Sequence, residues 1–340
     1  MQVDWELAER IARAAAGEAP AFVAPARLEE HARMAERQVV EATGLTPRRP
    51  LPPVEWVGRG EWIAANLATM RSLLQPALDR AAGRGGGRLL AGVGGTLMAV
   101  EIGALLGLFS RRVLGQYEVD LVNAEREPRL LLVAPNLDHA ARAMGVDRES
   151  FIAWVTLHEV THAVQFSAVP WLRGHLGDAL EELLKTLDVK PDPRALLKRI
   201  DLADVRALAD QVRDRGLLGL MLDDRRRALL ERVQGTMGLV EGHAEWAMDK
   251  AAVGVLPDVE ELRRKLDRRR TERAPLLKIL DRLLGMELKL RQYTQGREFC
   301  DAVEAARGPE GLRDAWASPE LMPMPDELAD PQAWLERTAS

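Results

Sequence analysis

The sequence predicts a predominantly α-helical α+β fold with one small β-hairpin. Most of the chain consists of Ala-, Leu-, Glu- and Arg-rich segments whose apolar residues recur at helical spacing. Two segments depart from that period. Residues 113–122 alternate in polarity, as in a strand, and residues 129–134 form a second short strand after a polar turn. The chain has 340 residues, of which 47% are hydrophobic, and this composition excludes wholesale disorder.

Helices are predicted on both sides of the hairpin. Residues 1–48 form helical stretches divided by prolines, and a helix from about Arg59 to Ala82 follows a Pro-rich break. Asp147 is placed to cap the helix that runs to about Phe166. Further helical segments are predicted over residues 89–110, 177–221, 223–252, 258–273 and 275–306.

These segments predict the domain organisation. We expect a helical region over residues 1–112, a catalytic region over residues 113–306 with a helical insertion at 177–221, and an extended tail over residues 307–340. The tail is predicted to be extended because four prolines recur between residues 319 and 331. All of these parts are expected to form one compact unit.

Residues 89–110 form an apolar stretch of membrane-spanning length. A buried core helix is the favoured interpretation, because Glu101 lies near the middle and an uncompensated acid there costs roughly 2.5 kcal/mol or more in a membrane. Four small residues predict a close contact with another helix: Gly92, Gly95, Ala99 and Gly103. A membrane-associated protease is the alternative interpretation.

Charge and cysteine content exclude several classes of protein. The formal charge of -5 argues against a general nucleic-acid binder, and the basic run at residues 263–270 is flanked by acidic residues, as in a solvated helix face. The single cysteine, Cys300, excludes a disulfide framework and a Cys-rich zinc site. No secretory signal is visible, so we expect a soluble, cytoplasmic protein without stable membrane insertion.

The segment His158-Glu-Val-Thr-His162 is an HExxH motif within a predicted helix. Residues i and i+4 share one helix face, so both imidazoles can bind one metal ion, Zn²⁺. Glu159 can then act as the general base that takes the proton of a metal-bound water.

A catalytic zinc site usually has a third protein ligand, and the candidates downstream are His175, His243, Glu241, Glu245 and Asp249. Glycines at positions 235, 238 and 242 clear one side of the predicted helix, which allows another helix to approach. Glu241 borders that cleared side and Glu245 shares its face. His243 points in another direction, so it cannot easily share a metal with Glu241.

The segment Leu239-Val-Glu-Gly-His-Ala244 resembles the ligand helix of aminopeptidase N-like gluzincins. This resemblance implies that Glu241 is the third zinc ligand and that Glu245 or Asp249 is an outer carboxylate, with Glu245 as the alternative ligand. The chain departs from the gluzincin pattern because the preceding Asn is missing and the gap from His162 to Glu241 is much longer.

A wider resemblance rests on segments 114–117, 132–136, 154–162, 165–166, 169–172, 241–244 and 292–293 with Gly296. By these segments, nearly the whole chain is similar to a narrower zincin-like family, long catalogued as a domain of unknown function and labelled as zinc-dependent hydrolases or metalloproteases. The chain's length and its N-terminal Val3-Asp-Trp5 resemble the branch associated with deazaflavin-coenzyme biosynthesis. The resemblance implies a zincin-like fold and a zinc hydrolase.

The sequence thus predicts a metallopeptidase that acts on peptides or proteins, with the hairpin edge available to an extended substrate. Its oxyanion donor is predicted among Tyr293, Tyr117 and His243. The alternative is a catalytically silent, zinc-stabilised binding or scaffold protein.

Overall fold

A computed structural model describes residues 3–18, 21–82, 88–123, 125–186, 224–252, 259–271 and 286–339. These residues form twelve helices and three strands. The helices are α1 (Trp5–Ala16), α2 (Leu28–Thr43), α3 (Arg59–Ala82), α4 (Arg88–Ser110), α5 (Ala134–Met144), α6 (Arg148–Ala168), α7 (Pro170–Thr186), α8 (Asp224–Ala252), α9 (Val259–Thr271), α10 (Met286–Asp314), α11 (Pro325–Ala329) and α12 (Pro331–Arg337). The strands are β1 (Val54–Val57), β2 (Gly115–Glu118) and β3 (Arg129–Val133).

The architecture confirms a predominantly helical α+β fold with a small sheet. The predicted hairpin is present, since β2 pairs antiparallel with β3 and Gly115 lies opposite Leu132. The sheet also contains β1, which pairs parallel with β3 and was not predicted. The strand order β1-β3-β2 makes β3 central, and its residues Leu130–Val133 are almost fully buried, as expected for a strand covered on both faces.

The described residues divide into two units. The first unit comprises Met1–Gly174 and Ala247–Lys265, and the second comprises His175–Trp246 and Leu266–Ser340. The long helix α8 contributes residues to both. The predicted insertion at 177–221 lies mostly outside the described residues, which resume at position 224.

In the first unit, α4 packs closely against α1 through small residues. A Cβ added at Gly103 would lie 2.6 Å from the Ala8 carbonyl oxygen, and one at Gly107 would lie 2.5 Å from the Cβ of Ala15. Ala99 is fully buried. The predicted close helix contact is present at Gly103, and Gly107 extends it by one turn. No helix in the described part of the chain meets the length and hydropathy required to cross a membrane.

In the second unit, the glycines of α8 allow a close helix crossing. A Cβ at Gly242 would collide with the backbone of Gly296 in α10, and a Cβ at Gly296 would collide with the carbonyl group of Gly238. Gly235 faces the ring of Pro325. The prediction that these glycines admit another helix is confirmed for Gly238 and Gly242, with α10 as that helix.

The C-terminal residues 307–340 were expected to be extended, and this expectation is wrong for the described part. They include the end of α10 and the short helices α11 and α12. Pro325 and Pro331 begin these helices at positions where a missing N–H costs nothing. Trp334 is fully buried and its ring packs edge-to-face against Phe299, so the segment is a packed part of the second unit.

Candidate metal site

Helix α6 carries the HExxH motif, and its start is fixed by a local cap. The carboxylate of Asp147 accepts a hydrogen bond from the N–H of Ser150 at 2.8 Å, as predicted. The helix is buried on most of its surface around the motif. His158 is half-buried, His162 is buried, and Glu159 retains only 6% of its exposure. The motif side chains are therefore held in place by a packed helix.

The two imidazoles point their Nε2 atoms toward a common position. His158 Nε2 and His162 Nε2 lie 3.2 Å apart. Two nitrogens bound to the same tetrahedral zinc at ordinary Zn–N lengths would lie roughly 3.3 Å apart. The separation therefore fits a shared Zn²⁺, and imidazole nitrogen is a donor that suits zinc.

Glu241 completes a group that could hold a metal ion. One ligand atom each from His158, His162 and Glu241 lie within 4.8 Å of one another. Two imidazoles and one carboxylate are a ligand set typical of catalytic zinc sites, which keep a fourth position for water or substrate. Glu245, the alternative ligand, is not part of this group among the described residues.

The carboxylate of Glu159 is held by strand β2. Its Oε2 accepts a hydrogen bond from the backbone N–H of Tyr117 at 2.9 Å. Gly115 forms the wall beside it, since a Cβ there would lie 2.6 Å from Glu159 Cγ and 2.8 Å from Oε1. The position therefore requires glycine for the observed orientation of Glu159.

Strand β2 is in turn fixed by α3. Gln116 Oε1 accepts hydrogen bonds from Trp62 Nε1 and from the Asn66 amide. At the end of the strand, Glu118 Oε1 accepts hydrogen bonds from Thr69 at 2.8 Å and from Arg126 at 2.7 Å. These side-chain contacts hold strand β2 in place, in addition to its backbone pairing with β3.

The loop after β2 is anchored to α7 by one arginine. The guanidinium group of Arg173 donates hydrogen bonds to the backbone carbonyls of Asp120 and Asn123 at 2.6 and 2.7 Å. Arg173 lies five residues after the end of α6. The loop and the C-terminal end of the motif helix are therefore tied together.

Each histidine of the motif also has a partner at Nδ1. His162 Nδ1 lies 2.9 Å from Gln165 Oε1, and His158 Nδ1 lies 3.2 Å from Met248 Sδ. Sequence reasoning did not assign a role to Gln165, Met248 or Gly115. The i+3 spacing of Gln165 from His162 was a usable signal, whereas Met248 is 90 residues from its partner.

Two further residues predicted for the site, His243 and Asp249, have other partners in the structure. His243 is 1% exposed, and its ring packs against Trp246 and Trp316 at centroid distances of 5.5 and 5.0 Å. Asp249 is half-buried and forms an ion pair with Arg263. The roles of His243 and Asp249 stay predictions.

The tyrosines were predicted as oxyanion donors. Tyr117 is half-buried against Phe166, with ring centroids 5.8 Å apart, and burial raises the pKa of its phenol to about 12. Tyr293 lies in α10, and its side chain is outside the described part of the structure. Its role stays a prediction.

The chain is similar to known proteins over nearly its whole length. A family described as zincin-like metallopeptidase matches residues 3–335. A crystal structure from Chloroflexus aurantiacus, described as a "putative hydrolase with a novel fold", is 29% identical and superposes with a TM-score of 0.70. The match covers 99% of each chain. No curated protein matches this sequence significantly.

Proposed function

The chain belongs to the family of zincin-like metallopeptidases, and from this premise we propose that it is a zinc-dependent hydrolase that cleaves peptide bonds. The observation that carries the proposal is the convergence of one ligand atom each from His158, His162 and Glu241. These three residues would hold Zn²⁺. The similarity over 99% of the chain to the crystal structure described as a "putative hydrolase" supports the same class.

Zinc in such a site acidifies a bound water and polarises a substrate carbonyl. Glu159 is the general base in the proposed reaction. Its carboxylate takes the proton of the attacking water and then delivers that proton to the nitrogen of the leaving amine as the C–N bond breaks. The hydrogen bond from Tyr117 N–H fixes the orientation of this carboxylate before substrate arrives.

Negative charge develops on the carbonyl oxygen during this attack and calls for a hydrogen-bond donor. Tyr293 and His243 are the proposed donors from the sequence. The buried contacts of His243 with two tryptophans favour Tyr293 as the first residue to test. Tyr293→Phe removes only the hydroxyl, so the proposal expects a lower kcat with an unchanged zinc content.

The proposed substrate is a peptide or protein in an extended conformation. Strand β2 pairs with β3 on one side and forms an edge of the described sheet. An extended peptide can add to such an edge through backbone hydrogen bonds. Because the N–H of Tyr117 is held by Glu159, the peptide would pair with other backbone groups of this edge.

The first experiment measures zinc by elemental analysis in the wild-type chain, Glu241→Ala and Glu245→Ala. The proposal expects about one zinc per chain, lost in Glu241→Ala and kept in Glu245→Ala. A second step screens peptide substrates with the wild type and Glu159→Gln, which should keep zinc and lose hydrolysis. Zinc without turnover on any substrate would favour the scaffold alternative, and a wild-type chain that binds no zinc would overturn the proposal.

A further inference from the structure

The Nδ1 atoms of the two motif histidines face acceptors of very different strength. His162 Nδ1 lies 2.9 Å from the side-chain oxygen of Gln165. His158 Nδ1 lies 3.2 Å from the thioether sulfur of Met248. Both acceptors are buried, since Gln165 is fully buried and Met248 is 3% exposed.

These contacts decide where each neutral imidazole carries its proton. A neutral imidazole has one N–H donor and one bare nitrogen, and the hydrogen bond at one nitrogen selects the tautomer. An amide oxygen and a thioether sulfur are both acceptors, so each contact calls for a proton on Nδ1. The two Nε2 atoms, 3.2 Å apart, are then both lone-pair donors.

We propose that Gln165 is a positioning residue that fixes His162 as the Nδ1–H tautomer and aims its Nε2 at the metal. Met248 does the same for His158 with a weaker acceptor. This inference rests on the proposed zinc site. Of the two contacts, the amide oxygen of Gln165 is the stronger hydrogen-bond acceptor.

Removing the Gln165 oxygen should lower the zinc affinity strongly because its contact with His162 is buried. Water cannot easily replace the acceptor of His162 Nδ1, because Gln165 has no exposed surface. Removing the Gln165 oxygen leaves a buried N–H without its acceptor and lets the ring adopt the other tautomer, which cannot ligate through Nε2. A thioether is a weak hydrogen-bond acceptor, so removing the Met248 sulfur should lower the zinc affinity less than removing the Gln165 oxygen.

The test compares three variants by zinc affinity, measured by competition with a chromophoric chelator. Gln165→Leu should weaken zinc binding by about 10- to 100-fold. Gln165→Glu restores an oxygen acceptor and should bind zinc more tightly than Gln165→Leu. Met248→Leu is the matched control, with a smaller loss than Gln165→Leu. Circular dichroism and thermal melts confirm that each variant is folded.

A second measurement needs neither zinc nor a variant. Long-range ¹H–¹⁵N NMR of the metal-free wild type, at a pH where the imidazoles are neutral, assigns the proton in each ring. We expect Nδ1–H for His162. A proton on Nε2 of His162, or equal zinc affinity in the wild type and Gln165→Leu, would overturn the inference. If the wild type binds no zinc, the proposed function fails, and the tautomer measured by NMR still decides this inference.

Discussion

Glu159 and Tyr117 are joined by a 2.9 Å hydrogen bond from the backbone N–H of the tyrosine to the carboxylate of the glutamate. Glu159 belongs to the motif helix, whereas Tyr117 belongs to strand β2. The helix therefore supplies the proposed general base, and the strand sets its orientation.

Gly115→Ala should lower peptide hydrolysis on the order of 100-fold, because the new Cβ would lie 2.6 Å from Glu159 Cγ and must displace the carboxylate. Zinc content should stay near that of the wild type, since the three atoms nearest to the added Cβ all belong to Glu159, which is not a proposed metal ligand. The measurements are kcat/KM with a peptide substrate and zinc by elemental analysis.

Gly174→Ala is the matched control for this exchange. A Cβ at Gly174 meets no atom within 4 Å, and the residue lies in α7. The control should keep wild-type activity and stability or gain slightly in stability. Equal activity of Gly115→Ala and Gly174→Ala would show that the wall beside Glu159 has no influence on turnover.

Arg126→Met should destabilise the fold by about 3 kcal/mol. Arg126 donates to Glu118 and lies 3.7 Å from Asp120, and both carboxylates are less than 5% exposed. The substitution leaves these buried acids without their nearest cation. Urea unfolding gives the free-energy change, and Arg13→Met, which breaks an exposed pair with Glu9, should change it little. Equal losses in the two variants would contradict this prediction.

Tyr117 should make the folded state less stable at strongly alkaline pH. Burial raises its pKa to about 12 in the folded state, against 10.0 for an ordinary tyrosine. The unfolded chain therefore loses this proton first, and stability falls as pH rises from 10 through 12, by up to about 2 kcal/mol. Urea unfolding across that pH range checks the slope. Tyr117→Phe should flatten it, and an unchanged slope in the variant would assign the effect to other groups.

Gly103→Ala should destabilise the first unit by about 1–3 kcal/mol, because the added methyl group would lie 2.6 Å from the Ala8 carbonyl oxygen. The expected observation is a lower Tm in a thermal melt. The same exchange at the open position Gly174 again provides the reference. If Gly103→Ala has the Tm of the wild type, then α1 and α4 can move apart to admit the methyl group without loss of stability, which would contradict this prediction.

Features that depend on nearby residues could be predicted from the sequence. The i and i+4 histidines of α6, the Asp147 cap and the small-residue face of α4 follow from helix geometry alone. The glycines of α8 predicted a close helix because each is unfavourable in a helix without a packing reason. Gln165 was within reach of the same geometric argument, since it lies one turn beyond His162.

Other features depend on residues distant in sequence. Strand β1 has four residues, and its partner β3 starts more than 70 residues later, so no local pattern marks it. The contact between Met248 and His158 spans 90 residues. The C-terminal prolines misled the prediction because proline both ends and begins helices. The buried packing of Trp334 belongs to the second of these outcomes.

The wall that Gly115 forms beside Glu159 also bears on how such a protein can change over generations. A single substitution in β2 can misalign the carboxylate while the histidines of α6 keep their places. Under the proposed function, the two histidine ligands and the general base lie on α6, whereas the residue that aligns the base lies on β2. One substitution in β2 would then remove catalysis and leave a folded, metal-binding protein that is available for selection as a recognition protein.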